Sequence, residues 1–394
     1  MPAILPDMRA LDSHNKYPDC LWMQLEAIPV SSDATASGRV DLYLSLQFNE
    51  CWEPLLGGRV KFGLQGGTIE LIPNNCTIPR TSRQLIGDFQ LLPTETTPEM
   101  QSNAGKTNET DGALCQVSTT GDDTKPSWIF RLKRGKPPVK GLLKSAKLGA
   151  VAATSFAIDA SFTVSKEDIY LADFEGLWSH DTTPNQDSIL ARILTVYLLE
   201  SKLQPALSWA MLCCDSPKVD RREVEIVAPD EAQFQEKIDR ILAAKTDNFA
   251  ELAKIANLNL AEDFAGANLL GTSLNGVDFS SAKLDRANFR GAVLTDTDFS
   301  DASLQNAKFS GADLSGAFLG NADLQGADLY KASLALANLS GTNLCGANLV
   351  EVNLTNANFS GANVEFARFG NNAGLSEEMQ ANLQQRGAIF TVDS

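Results

Sequence analysis

Histidine and positive charge are the scarce materials of this 394-residue chain. There are two histidines, His14 and His180, so imidazole acid–base chemistry has only two places to happen. His180 sits in Ser179-His180-Asp181, where immediate chain neighbours cannot form the hydrogen-bonded relay of a nucleophile, a base and an orienting acid. That triplet reads as a polar turn ahead of a helix. Seven cysteines, an odd number with no CxxC pair, argue against a zinc site or a disulfide framework and fit a reducing compartment. The adjacent Cys213-Cys214 lies in the apolar run from Ala206 and reads as buried packing rather than as a redox-active pair. No cofactor or metal is implied. Long apolar runs are also missing: about eighteen residues would be needed to span a bilayer, and Met1 to Ala10 lacks a basic region followed by an apolar core. A soluble, cytoplasmic protein is the expectation. With 33 basic against 49 acidic residues the net charge is −16, which weighs against nucleic-acid binding through a basic face. Gly105-Lys106-Thr107 is not a phosphate-binding loop, because Met100 stands where the earlier glycine is required.

What the chain has in abundance is periodicity. From Phe264 to Phe369 a large apolar residue stands at every fifth position, twenty-two in all. On a helix that spacing spreads side chains around every side, and on a strand it sends successive ones to opposite faces. Burying them together requires a turn within each five residues, so that the chain winds about an axis. The other positions agree. Two residues before each large one, from Ala267 to Ala367, all twenty-one residues are Ala, Thr or Val. Two residues after it, ten are Gly and six are Asn or Asp, the residues that most readily take positive φ. The positions flanking the large residue are mostly polar and read as outward.

These A(D/N)LxG-like units resemble the pentapeptide-repeat family. The resemblance implies a right-handed quadrilateral β-helix with four units per coil, hence about five and a half coils and a length of roughly 25 Å at ~4.8 Å per stacked strand. One feature of the sequence supports that wrap: Phe279, Phe299 and Phe359 fall in one column, and Phe289, Phe309 and Phe369 in the facing one. The ending Gly374-Leu375-Ser376-Glu377-Glu378 … Arg386-Gly387-Ala388-Ile389-Phe390 resembles that of pentapeptide-repeat proteins common in cyanobacteria. The resemblance covers about residues 247–394, and residues 20–215 resemble no family.

The whole chain therefore reads as mainly β. Residues 1–18 are a polar tail, and 19–215 form an antiparallel, sandwich- or barrel-like domain with one helix at 188–202. The alternation Val40, Leu42, Leu44, Leu46, Phe48 is its clearest strand. Residues from about 93 to 126, rich in Thr, Asn, Ser and Gly, predict a mobile loop. A linker follows at 216–230, then a helical cap at 231–260 with Asp230 as its N-cap and Phe234, Ile238, Ile241 and Leu242 as its apolar stripe. The repeat β-helix occupies 261–371, and 372–394 provide a closing helix and strand.

Two candidate contact surfaces stand out. One is basic: Arg131, Lys133, Arg134, Lys136 and Lys140, continued by Lys144 and Lys147, with an edge-protecting hairpin as the plainer explanation. The other is the outward apolar set Phe318, Leu336, Tyr330 and Phe366 on a surface otherwise made of Asn, Ser and Thr. Six consecutive units place Asn before the large residue, from Asn338 to Asn363, which the family resemblance implies are stacked supports for the coil. Stacked Asp278 and Asp298 suggest a metal array, but Phe318 interrupts the column. The leading functional reading is a non-catalytic interaction or scaffold protein whose partners are proteins, with peripheral association to a membrane complex open. The family also implies DNA mimicry directed at gyrase, which needs dense negative charge along the rod. A third reading is an enzyme or small-ligand activity in the N-terminal domain around His180.

Overall fold

The computed structural model describes residues 12–30, 39–93, 113–134, 137–152, 156–178, 181–213 and 231–391. The chain divides into two compact units, one built from Met1–Trp178 and Leu198–Ala228, the other from Ser179–Tyr197 and Pro229–Ser394.

The first unit is antiparallel throughout. Its strands are β1 (Asp12–Asn15), β2 (Leu21–Pro29), β3 (Arg39–Phe48), β4 (Glu50–Leu55), β5 (Gly58–Leu64), β6 (Gly66–Asn74), β7 (Gly87–Gln90), β8 (Leu114–Thr120), β9 (Ser127–Arg134), β10 (Gly141–Ala152), β11 (Ala157–Thr163), β12 (Ile169–Glu175) and β13 (Ser208–Cys213). Seven form one sheet in the order β1-β13-β11-β6-β9-β8-β7, and two three-stranded sheets run β10-β3-β2 and β12-β5-β4. Alternation decides which residues face the core: Leu21, Met23, Leu25 and Ala27 of β2 are buried, as are Val40, Leu42, Leu44, Leu46 and Phe48 of β3. Rings of Phe48, Phe130 and Phe162 meet with centroids 6.0 to 6.5 Å apart, joining strands from two sheets. Gly67 permits this, because a Cβ there would collide with the Phe162 ring.

Three expectations for this region need correction. The segment read as a mobile loop contains a strand, β8, whose Cys115 and Val117 are buried while it pairs with both β9 and β7. The buried Arg83 guanidinium also clamps the turn after β8, donating to the carbonyls of Thr120 (3.0 Å) and Gly121 (3.1 Å). Residues 94–112 of that segment lie outside the described residues, as do the linker 216–230 and the Asp230 N-cap. Second, part of the polar tail is a strand: β1 pairs with β13, and His14 lies 5.6 Å from the Trp209 ring. Third, the helix expected at 188–202 within the β-rich domain starts earlier, at Pro184, where a missing N–H costs nothing, and through Tyr197 it belongs to the second unit. This helix, α1 (Pro184–Leu198), gives way to one π-helical turn, Leu199–Leu203.

The second unit is organised by the repeat. Parallel bridges connect residues twenty apart, for example Asp278 with Asp298, Lys308 with Asp328 and Asn338 with Asn358. Four five-residue units separate stacked residues, so the winding has four walls. Large residues from Phe264 to Phe369 and the small ones before them fill the interior. All twenty-two turn positions have positive φ, in glycines such as Gly271 and also in residues such as Leu336 and Phe366. The Phe columns stack as expected: Phe279 on Phe299 (5.6 Å, interplanar 6°) and Phe289 on Phe309 (4.9 Å, 4°), with Phe289 and Phe299 meeting edge to face at 5.8 Å. Inward threonines satisfy their hydroxyls on backbone, as Thr297 does by donating to the Leu274 carbonyl (2.8 Å).

Helices cover the start of this winding. In α2 (Glu231–Leu242), Phe234, Ile238 and Ile241 are buried, and Tyr197 of α1 stacks on Phe234 at 4.1 Å. In α3 (Phe249–Ile255), Phe249 packs on Phe264 (5.3 Å) and Phe279 (6.2 Å). The far end carries short strands β14 (Asn348–Val350) and β15 (Arg368–Gly370), helix α4 (Glu377–Gln385) and strand β16 (Ile389–Phe390), which pairs with β15. Ser376 caps α4 by accepting from the Met379 N–H (3.1 Å).

Candidate interaction surfaces

The winding decides what each outward residue can do. Stacked Asn and Asp side chains form ladders: Asn343 donates to Asp323 (2.8 Å), Asn363 to Asn343 (3.1 Å), Asn348 to Asp328 (2.9 Å) and Asn358 to Asn338 (3.2 Å). The same oxygens accept backbone N–H groups two residues on, as Asn343 does from Cys345 (3.2 Å). These side chains are spent on holding the backbone. They form a pre-ordered surface.

Two side chains finish the backbone ladder where coils run out. Asn185 of α1, 1% exposed, donates to the carbonyls of Asp247 (2.7 Å) and Ser273 (3.0 Å) and accepts from the Ser273 N–H (2.9 Å), so its amide stands in for the strand that the first coil lacks. At the other end the Arg386 guanidinium donates to the carbonyls of Phe359 (3.2 Å) and Ala362. Neither residue belongs to the five-residue pattern, so its period gave no signal for them.

The outward apolar set does not form one patch. Phe318 (49% exposed) bridges Asp298 and Asn338, and Leu336 (67% exposed) precedes Asn338 by two residues, so these two share a corner. Phe366 (59% exposed) belongs to the opposite corner column, where its N–H donates to the Gly387 carbonyl (2.9 Å). Tyr330 lies on another wall, donating its hydroxyl to Glu351 (2.9 Å) under the Lys331 ammonium, 4.9 Å from its ring.

The basic set of the first unit is spread across separate ion pairs. Lys133 of β9 pairs with Asp88 of β7 (2.6 Å). Lys140 and Lys61 both reach Glu50 (3.0 and 2.5 Å), and Lys147 pairs with Asp41. Burial pushes the Glu50 carboxyl up, but the hydrogen bonds from Lys61 and Lys140 outweigh it and hold the pKa below the usual value. Arg131 is exposed on β9 beside Arg134, whose side chain, like Lys136, lies outside the described residues. His180, Cys214 and Gly105-Lys106-Thr107 also lie outside them.

Among the described residues no three His, Cys, Asp or Glu side chains gather as a metal site, and no described helix is long and apolar enough to cross a membrane. Sequence reasoning missed one contact, between the thiols of Cys20 and Cys51: the hydrogen bond that the Cys20 S–H donates to Cys51, then burial, raises the Cys20 pKa. It also missed a charge pattern on the winding. Sorted by position within twenty residues, five of the six bases between Phe264 and Gly370, namely Arg286, Arg290, Lys308, Lys331 and Arg368, fall on one wall and its two corners. A count by unit of five cannot show this; a count by coil does.

The model of the family described as pentapeptide repeats matches eight copies in residues 263–301, 272–311, 302–341 and 337–371. Similar solved structures include the pentapeptide-repeat protein Rfr23 from the cyanobacterium Cyanothece, 33% identical over 26% of this chain and 63% of that one, with a TM-score of 0.22. A pentapeptide-repeat protein of the Arabidopsis thaliana thylakoid lumen is 35% identical over 30% of this chain and 80% of that one (TM-score 0.18). HetL, involved in regulating heterocyst differentiation in a Nostoc species, is 28% identical over 26% and 60% respectively (TM-score 0.13). Comparison with curated proteins returns no match. The chain belongs to the pentapeptide-repeat family through its C-terminal repeats, and the N-terminal antiparallel unit is not recognised by any of these comparisons.

Proposed function

We propose that this is a non-catalytic interaction protein, in which a rigid β-helical rod and a separate antiparallel domain each offer a surface to a protein partner. The observation that carries the reading is the ladder of outward side chains, because it fixes a broad, regular face in advance of binding and so lowers the ordering cost of association. In this proposal the rod is right-handed and quadrilateral with about five and a half coils. The layout is a first segment at 1–18 whose β1 joins the β-rich domain at 19–215, from which α1 departs to the second unit, then a linker at 216–230, a helical cap at 231–260, the rod at 261–371 and a closing cap at 372–394. The protein works in the cytoplasm. Candidate contacts are Phe318, Leu336, Tyr330 and Phe366 on the rod and Arg131, Lys133, Arg134, Lys136 and Lys140 on the other domain.

Mimicry of DNA is the second reading, and charge weighs against it. A DNA-like rod needs acids on all sides, yet Glu351 is the one charged residue from Ala332 to Val364, and one wall is basic. The test is affinity capture from soluble and membrane fractions, comparing the full chain with variants of either domain's surface. A stoichiometric protein partner is the expected result. Recovery of gyrase alone favours mimicry, and recovery of no protein with the full chain overturns the interaction reading.

A further inference from the structure

We propose that the rod wall whose inward residues run Leu269, Phe289, Phe309, Leu329, Leu349, Phe369 is a docking face for an acidic segment of another protein. This rests on the interaction reading and names the partner's chemistry. Its outward positions carry Arg290, Lys308 and Arg368, and Arg286 and Lys331 occupy the corners that lead into and out of it. Eight of the ten acids between Phe264 and Gly370 lie elsewhere on the winding. The two on this wall and its corners are engaged locally. Asp328 accepts from the Ser310 hydroxyl (2.6 Å) and the Asn348 amide (2.9 Å), while Glu351 accepts from the Tyr330 hydroxyl (2.9 Å) and lies 3.4 Å from the Lys331 ammonium.

Three of the cations, Arg290, Lys308 and Arg368, are short of counter-charge. Among the described residues no carboxylate lies within ion-pair distance of Arg290, Lys308 or Arg368. Lys308 stacks between Asn288 and Asp328, one coil beyond the unit that ends in Arg290. Burial lowers its ammonium pKa, Arg290 and Arg286 lower it further, and Asp328 opposes them. A half-buried ammonium such as Lys308, with Arg290 and Arg286 near it, gains when an anion arrives, because repulsion is relieved at the same time as a new attraction forms.

The shape of the strip selects the partner. It is one wall wide and, at ~4.8 Å per coil, about 25 Å long, which matches some seven residues of extended chain at ~3.3 Å each. Leu270 (55% exposed) and Tyr330 lie in the same column as Arg290 and offer apolar contact between charges. A duplex or an anionic bilayer is wider than the strip and would overlap the acidic walls beside it, in a chain whose net charge is already −16. A single acidic segment avoids both.

The test uses the full-length chain and a fluorescein-labelled decaglutamate, followed by anisotropy at low and moderate salt. The expected result is saturable binding that weakens with salt. It should fall about tenfold in the double variant Arg290→Glu with Lys308→Gln, fall in Arg368→Glu, and be unchanged in Asp298→Asn on another wall. All four positions face outward, and thermal unfolding of each variant confirms that the winding is intact. Absence of saturable binding overturns the proposal, as does binding indifferent to the basic substitutions, or tighter binding to a short DNA duplex or to anionic vesicles. Affinity capture separates this inference from the reading beneath it. A partner retained equally by wild type and by the double variant refutes the docking face while the interaction reading stands. Capture of nothing by wild type refutes that reading, whatever decaglutamate does.

Discussion

The two units of this chain solve the same problem by opposite means. In the antiparallel unit, strands far apart in sequence are neighbours: β1 pairs with β13 across nearly two hundred residues, and β6 lies between β9 and β11. In the repeat unit each residue leans on the one twenty positions away. The first arrangement makes every core side chain depend on the whole sheet, whereas the second makes it depend on two adjacent coils. That difference separates structure from recognition in the rod. Inward columns carry the buried core, so outward positions outside the Asn and Asp ladders are free to vary in charge from wall to wall.

Removing one buried ring from each unit should expose the contrast most strongly. Phe299 is stacked on Phe279 and flanked by Phe289 and Phe309, and Phe162 meets Phe48 and Phe130. Phe299→Ala and Phe162→Ala should each cost about 3–5 kcal/mol by denaturant titration. Hydrogen exchange should then divide them. Amides of the coils adjoining Phe299 lose protection while those near Leu349 keep it, whereas Phe162→Ala lowers protection across all three sheets of its unit. Equal, uniform loss in both would show that the rod is as cooperative as the sheets.

A smaller effect is expected at the rod's first coil. Asn185→Ala deletes three hydrogen bonds and leaves the Ser273 N–H and carbonyl without the side chain that completes them. The expected cost is about 2–3 kcal/mol. Its signature is faster exchange at Ser273 with no change at the β6 and β11 amides. If β11 responds as strongly as Ser273, the two units are not energetically distinct, and the comparison breaks.

How far each unit could be read from sequence follows from the same difference. The rod's interior was legible to the residue, because a short-range repeat writes every buried position in one register; Phe279 and Phe299 stack as their spacing requires. In the antiparallel unit β3 was legible through strict alternation, while β8 was not. Its Leu114, Cys115 and Val117 are embedded among Ser, Thr and Gly, and only pairing with β9, a partner beyond the turn held by Arg83, makes it a strand. The long strand β10 was hidden by its lysines, of which Lys147 finds Asp41 across the pair with β3. Among candidate contacts, the exposure of Phe318, Leu336 and Phe366 was readable from the repeat. The basic wall was not, since it exists only once residues are sorted by coil, and Asn185 and Arg386 sit outside any period.

Positive φ offers the finest comparison. Leu336 (φ 62°) and Leu85 (φ 59°) hold nearly the same left-handed conformation, which costs an L-residue roughly 1–2 kcal/mol and glycine almost nothing. Their surroundings differ: Leu336 projects from a corner of the rod, while Leu85 is buried in the antiparallel unit. Leu85→Gly should therefore destabilise by about 2 kcal/mol, since lost packing exceeds relieved strain. Leu336→Gly should stabilise by about 0.5 kcal/mol, the part of the relief that survives glycine's greater freedom in the unfolded chain. Opposite signs in urea titration are the expected outcome. Should Leu336→Gly destabilise as well, its side chain is packing against something on the rod, and the corner it shares with Phe318 is closed rather than open to a partner.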